Sequence, residues 1–291
     1  FQSNQFEKAL SSLRKIEDEQ DELYPEKTFL TALCHQSLNS YDKSLVYFEE
    51  YLKLGLPREL PRFSQAKLQL GISYYRQGKF AVSQTHLNFF NPQGFSQEKL
   101  LAKTYLAKIS LKEKRFDDFK KELDFLNRKV SSKNPLFFEL AFLQGEALFQ
   151  QGDFPQAIGY YEQAIPHKNK EQAKWYLHTL YNLAWCYLQL GNEEGQGKVV
   201  KKQLFEKAEL ILNELIAYEK TPEASLALAR LYLVQEEQAE KVEFLLGNTH
   251  FEKIQDQAEA LYLRARASVD KDLQQKLFAK LSGEAFASSS F

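Results

Sequence analysis

The chain has 291 residues, a formal net charge of -1, 26% charged and 14% aromatic residues. That balance supplies no bulk field for nucleic acid or an anionic membrane surface, and the aromatic content argues against a disordered chain. No apolar run approaches the roughly 18 to 20 residues needed to cross a bilayer, so no membrane insertion is expected. The two cysteines, Cys34 and Cys186, are too few for a disulfide framework and read as small buried residues.

The chain opens on Phe6, Ala9, Leu10, Leu13 and Ile16, the spacing of one amphipathic helix over 4–17. It reads as the second half of a hairpin whose first half lies upstream. A hairpin over 25–56 follows, with Phe29, Ala32 and Leu33 leading through Leu38-Asn39 into Tyr41, Ser44, Phe48 and Tyr51. The next, over 62–91, carries Leu70-Gly71, Tyr74, Gly78, Phe80, Ser83 and Leu87 and closes at Asn91-Pro92. Over 98–130 a weaker copy has Ala107, Phe116, Phe119, Leu123 and Leu126, with Lys114 where the turn glycine would stand.

The clearest copy spans 135–166. Phe138, Phe142, Gly145 and Phe149 recur at helical spacing, Gly152-Asp153 interrupts, and Phe154, Ala157, Tyr161 and Ala164 resume the pattern before Pro166. Two helices joined by so short a turn lie antiparallel. In the copy over 172–218, Ala184, Tyr187 and Gly191 restart the motif, but its second-helix residues Phe205, Ala208, Leu212 and Leu215 come late. The Gly-rich polar stretch Asn192 to Gly197 therefore reads as a protruding loop, with helix resuming near Val199. Copies over 222–247 and 252–281, and a Ser-rich tail over 282–291, complete a single array.

The run Gly145, Leu148, Phe154, Ala157, Tyr161, Ala164 and Pro166 resembles the tetratricopeptide repeat. That resemblance implies an all-α solenoid of antiparallel hairpins wound into a right-handed superhelix. The small contact residues Ala32, Gly71, Ala107, Gly145, Ala184, Ala229 and Ala265, with Ala157 and Ala208 on second helices, define the packing. Their first-helix spacings of 39, 36, 38, 39, 45 and 36 exceed the family period of about 34, and the 45 marks the insertion.

Nothing in the chain arranges chemistry. The histidines His35, His86, His167, His178 and His250 never fall three or four apart on a helix, so no metal site is expected. Gly191 to Lys198 fails as a phosphate loop: five residues separate Gly191 from Gly197, Val199 follows Lys198, and no strand precedes it. Glu49-Glu50, Asp117-Asp118 and Glu236-Glu237 are adjacent, hence splayed on a helix. No nucleophile has a base beside it, and we expect neither an enzyme nor a cofactor.

The resemblance instead implies a binding scaffold whose first helices line a concave groove. It places Phe29, Tyr75, Phe142, Phe149, Tyr181, Trp185 and Tyr262 there, an aromatic trough suited to a peptide or protein segment. Tyr181 and Trp185, four residues apart, share a face. The family's carboxylate clamp is only partly matched: Asn182 fits, whereas Glu146 and Glu223 stand where other polar partners belong. A second expectation is a docking module of a larger, envelope-associated or multi-domain protein. Charge is uneven, +6 from Lys99 to Lys133 and -7 from Glu206 to Glu259, which suggests steering of a partner or head-to-tail self-association.

Overall fold

The computed structural model describes residues 2–16, 21–57, 61–89, 97–134, 136–165, 173–219, 221–235 and 239–282. The expectations resting on Asn91-Pro92, Pro166, His167, Glu236-Glu237 and the tail beyond Ser282 fall outside the described residues. Within them every regular element is a helix, and the chain divides into two compact units, 1–134 and 135–291.

The first unit holds α1 (Gln2–Leu13), α2 (Tyr24–Ser37), α3 (Tyr41–Lys53), α4 (Pro61–Arg76), α5 (Phe80–Phe89), α6 (Gln97–Lys112) and α7 (Phe116–Asn127). α2 pairs with α3, α4 with α5 and α6 with α7, while α1 packs on α2, α3 on α4, and α6 beside both α4 and α5. The second unit holds α8 (Leu136–Gln151), α9 (Phe154–Ala164), α10 (Ala173–Asn192), α11 (Lys198–Glu219), α12 (Pro222–Val234), α13 (Ala239–Gly247), α14 (Ile254–Ala267) and α15 (Lys271–Leu281). Here the hairpins are α8/α9, α10/α11, α12/α13 and α14/α15, and α10 and α12 each lie beside the first helices of the hairpins before and after them.

Four tight turns share one backbone device. Asn39, Gly78, Lys114 and Gly152 all adopt positive φ, at 57°, 74°, 56° and 80°. The next amide closes on a carbonyl five residues back, as Ser40 to His35 at 2.9 Å, Lys79 to Tyr74 at 3.0 Å, Arg115 to Ser110 at 2.8 Å and Asp153 to Leu148 at 2.9 Å. This left-handed closure satisfies the last carbonyls of the first helix and sends the chain back on itself. Lys114 thus does the work of the turn glycine without being one. At Asp153 the side chain also caps α9 by accepting from the Gln156 amide at 3.2 Å.

Close approach inside each hairpin rests on small residues. Ala32, Ala107, Ala157, Ala184, Ala208, Ala229 and Ala265 have no exposed surface. At Gly145 an added Cβ would lie 2.7 Å from the Tyr161 ring, and at Gly71 2.6 Å from Leu87 Cγ. Ser83, on α5, donates its buried hydroxyl to the Gly71 carbonyl at 2.6 Å, joining the two helices at that contact.

The loop expected over 192–197 is present at 193–197, with α11 starting at Lys198, but it is only part of what the insertion adds. Its residues lengthen the helices: α10 has 20 residues and α11 has 22, against 16 and 11 for α8 and α9. Only 193–197 link them. Gly191 is therefore no turn residue but a helical contact, where a Cβ would meet Phe205 Cδ1 at 2.7 Å. The turn bends at Gly195, whose φ is +89°.

Candidate interaction face

In the second unit the residues just after the small contact positions, and those three before them, share one side of the first helices, roughly 60–100° around from the position that faces the partner helix. For Ala184 these are Trp185 and Tyr181 on α10. Their rings meet edge to face at 6.4 Å and 82°, and both remain partly exposed. Burial pushes the Tyr181 hydroxyl up, an effect that the Trp185 indole and Arg230 oppose.

Arg230, the residue after Ala229 on α12, lays its guanidinium carbon 5.4 Å from the Trp185 ring centroid. The same guanidinium pairs with Glu259 on α14. Planar stacking on an aromatic face and a fork of donors for a carboxylate are what arginine provides and lysine does not. Tyr262 on α14 sits under Arg266, whose guanidinium carbon is 5.9 Å from the ring centroid. At the rim, Lys253 donates to Glu223 at 2.8 Å and holds its carboxyl below the usual range.

On α8, Phe142 and Phe149 are partly exposed while packing on Tyr161 (6.3 Å) and Phe154 (5.7 Å). Between them Glu146 accepts from the Tyr161 hydroxyl at 2.6 Å and from the Asn182 amide. Asn182 is thereby engaged by its neighbouring hairpin. Burial, and secondly Glu146, drive the Tyr161 hydroxyl strongly upward and push the Cys186 thiol up to about 12.

The two remaining trough residues belong to the first unit. Tyr75 is partly exposed and rests on Phe80 and Tyr105, at 5.6 and 5.1 Å. Phe29 is 5% exposed, enclosed by Phe48 at 5.8 Å and Tyr51 at 5.3 Å, so it is a core residue with no face for a partner. Helical spacing alone does not separate the groove side of a first helix from the side that packs on its own hairpin. Arg230 and Glu259 were not anticipated as members of this face, whereas Glu146 was placed at a clamp position. The signal for Arg230 lay in register: Glu146, Trp185, Arg230 and Arg266 each follow a small contact residue directly.

His35 and His86 stack on Tyr47 and Tyr74, each at 5.5 Å and 11°, while His178 and His250 are exposed. Among the described residues no cluster of His, Cys, Asp and Glu could hold a metal ion, and no helix is long and apolar enough to cross a membrane.

The architecture is that of a helical-hairpin repeat protein with an aromatic and ionic face on its first helices. Residues 128–174 match the family described as Tetratricopeptide repeat, so the chain carries that repeat, and its other hairpins reproduce the same build. Solved structures to which it is similar include MamA of AMB-1, at 20% identity over 68% of this chain and 94% of that one, with a TM-score of 0.46. The C-terminal part of a TPR repeat-containing protein from Cytophaga hutchinsonii is 14% identical over 97% and 91%, with a TM-score of 0.42. The TPR2AB domain of yeast Sti1, in its pHSP90 complex, is 17% identical over 97% and 94%, with a TM-score of 0.29.

Proposed function

We propose that the chain is a non-catalytic scaffold that holds a peptide or protein segment on the first-helix face of its second unit. The observation that carries this reading is the group formed by Tyr181, Trp185 and Arg230, in which two partly exposed aromatic rings are steadied by a guanidinium fixed from the next hairpin. Such a surface offers large apolar area that is already ordered, so a partner's apolar side chains are buried at little further entropic cost. The Arg230–Glu259 and Lys253–Glu223 pairs at its edge give a bound segment polar groups to align against, which sets direction more than strength. Phe142, Phe149 and Tyr262 extend the apolar strip along the same unit, and Tyr75 offers a separate contact in the first.

Affinity capture from a lysate of the source organism tests this, comparing the parent chain with a Tyr181→Ala/Trp185→Ala variant that circular dichroism shows to be folded. A protein retained by the parent and lost by the variant supports the face as the binding surface. Equal capture by both removes it.

A further inference from the structure

Residues 206–210 and 240–244 read Glu-Lys-Ala-Glu-Leu and Glu-Lys-Val-Glu-Phe, one motif at the same register of two consecutive second helices, α11 and α13. Ala208 and Val242 are its wholly buried contact residues. The lysines fold back over first-helix rings, Lys207 Nζ lying 5.1 Å from the Tyr187 centroid and Lys241 Nζ 5.0 Å from that of Tyr232. The second glutamates turn to the next hairpin, Glu209 accepting from the Tyr232 hydroxyl at 3.1 Å and Glu243 from Arg264 at 2.9 Å. Lys241 also lies 3.9 Å from the Glu209 carboxylate, so the two motifs are neighbours.

The closing apolar residue and the opening acid take no part in this packing. Leu210 is 72% exposed and Phe244 77%, and the exposed Glu206 and Glu240 stand one turn before them. The fold needs no large side chain at that place: on α9 the same register, two residues after Ala157, holds Gly159, which faces open space. A single exposed apolar residue is ordinary. Two large ones repeated at one register, each with a glutamate beside it, form an apolar ridge edged with negative charge.

The first unit carries the reverse arrangement. On α7, Phe125 is partly exposed, with Lys121 one turn before it, Lys129 one turn after it and Lys103 Nζ 5.9 Å from its ring centroid. Glu122 is paired with Lys103 at 2.9 Å and Asp118 with Arg115 at 2.5 Å. The exposed Lys120, Lys121, Arg128 and Lys129 then outnumber the exposed acids Asp117 and Asp124. Lys121, although 3.5 Å from Asp118, keeps 77% of its side chain exposed.

We propose that the Leu210–Phe244 ridge of one copy of the chain packs on the Phe125 face of α7 in a second copy, with Glu206 and Glu240 opposite Lys121 and Lys129. Apolar side chains meet at the centre and opposite charges at the edge, which fixes register and speeds encounter. Two ridges together would set glutamate against glutamate, and two α7 faces lysine against lysine, so a ridge meets an α7 face and not its like. The ridge lies on second helices, so this contact goes beyond the segment-holding face of the first helices and does not depend on it.

Sedimentation velocity of the full chain over a wide range of concentration tests this. Association at low salt that dissociates at high salt is expected. Glu206→Lys/Glu240→Lys and Lys121→Glu/Lys129→Glu, each shown by circular dichroism to be folded, should each weaken association about tenfold or more by opposing like charges. Mixing the two variants should restore it, because each then meets a face of opposite sign. Phe244→Ser should weaken it about tenfold through loss of the apolar contact. A chain that stays monomeric at low salt overturns the proposal and leaves the ridge to a partner other than itself. Parent-like association in Phe244→Ser, or no recovery on mixing the two charge variants, overturns it as well.

Discussion

The Tyr187 hydroxyl on α10 donates to Glu162 on α9 at 2.8 Å, tying the first helix of one hairpin to the second helix of the hairpin before it. Tyr74 on α4 does the same to Glu49 on α3 at 2.5 Å, at the equivalent register of the other unit. These bonds belong to stacking between repeats, not to the hairpins themselves. Tyr187→Phe and Tyr74→Phe are each expected to lower stability by about 1 kcal/mol, because the partner carboxylates lie near the surface and rehydrate once released. A urea midpoint lowered without change of slope is the expected reading, and a midpoint equal to the parent's in both variants would remove the bonds from the account.

Lys114 occupies the left-handed turn position that Gly78 and Gly152 fill in other hairpins. A non-glycine residue there costs roughly 1–2 kcal/mol, and the exposed Lys114 side chain recovers little of it. Lys114→Gly is therefore expected to raise stability by about 1 kcal/mol, and Gly152→Ala to lower it by a similar amount. The opposite order in thermal or denaturant unfolding would show that these turns are set by something other than backbone conformation.

Two glycines of the same hairpin differ in what surrounds them. At Gly145 a methyl group would overlap the wholly buried Tyr161 ring, whereas at Gly159 on α9 it would meet open space. Gly145→Ala should destabilise by about 1–3 kcal/mol through overpacking. Gly159→Ala should stabilise by up to about 1 kcal/mol through helix propensity. Loss of stability in both would contradict the packing described.

The hydroxyls of Tyr74 and Tyr232 are pushed up to about 12, first by burial and then by Glu49 and Glu209. Tyr187 and Tyr161 shift the same way. A group whose folded pKa exceeds its unfolded value, near 10 for tyrosine, binds its proton more tightly when folded. Its stabilisation is complete below the unfolded pKa and is lost as pH rises through the folded one. Cys186, raised to about 12 from 9.0, brings the onset lower. The denaturation midpoint should thus hold steady near neutrality and fall above about pH 9. A midpoint that is flat or rising to about pH 11 would contradict these environments.

The hairpin architecture was legible because the contacts that build it are local. Gly145 opposite Tyr161, the break at Gly152-Asp153 and the resumption at Phe154 all lie within one repeat, at spacings only a helical pair explains. Gly191 misled for a physical reason. A glycine before a polar stretch reads as a turn, yet close helix approach also requires one, and the deciding partner Phe205 lies fourteen residues on. Phe29 shows the corresponding limit for aromatics, since both sides of a first helix are apolar. Arg230 escaped notice because a charged residue on an amphipathic helix reads as a solvated one until Trp185 and Glu259 are placed beside it from neighbouring hairpins.

The central claim is that the Tyr181–Trp185–Arg230 surface holds a partner segment, and calorimetric titration of the captured segment tests it most directly. Parent chain, Trp185→Ala and Leu210→Ala are compared, Leu210 being 72% exposed on the second helix α11. The account predicts that Trp185→Ala weakens binding by about thirtyfold, the loss of a central aromatic anchor, while Leu210→Ala binds like the parent. Full affinity in Trp185→Ala would contradict it.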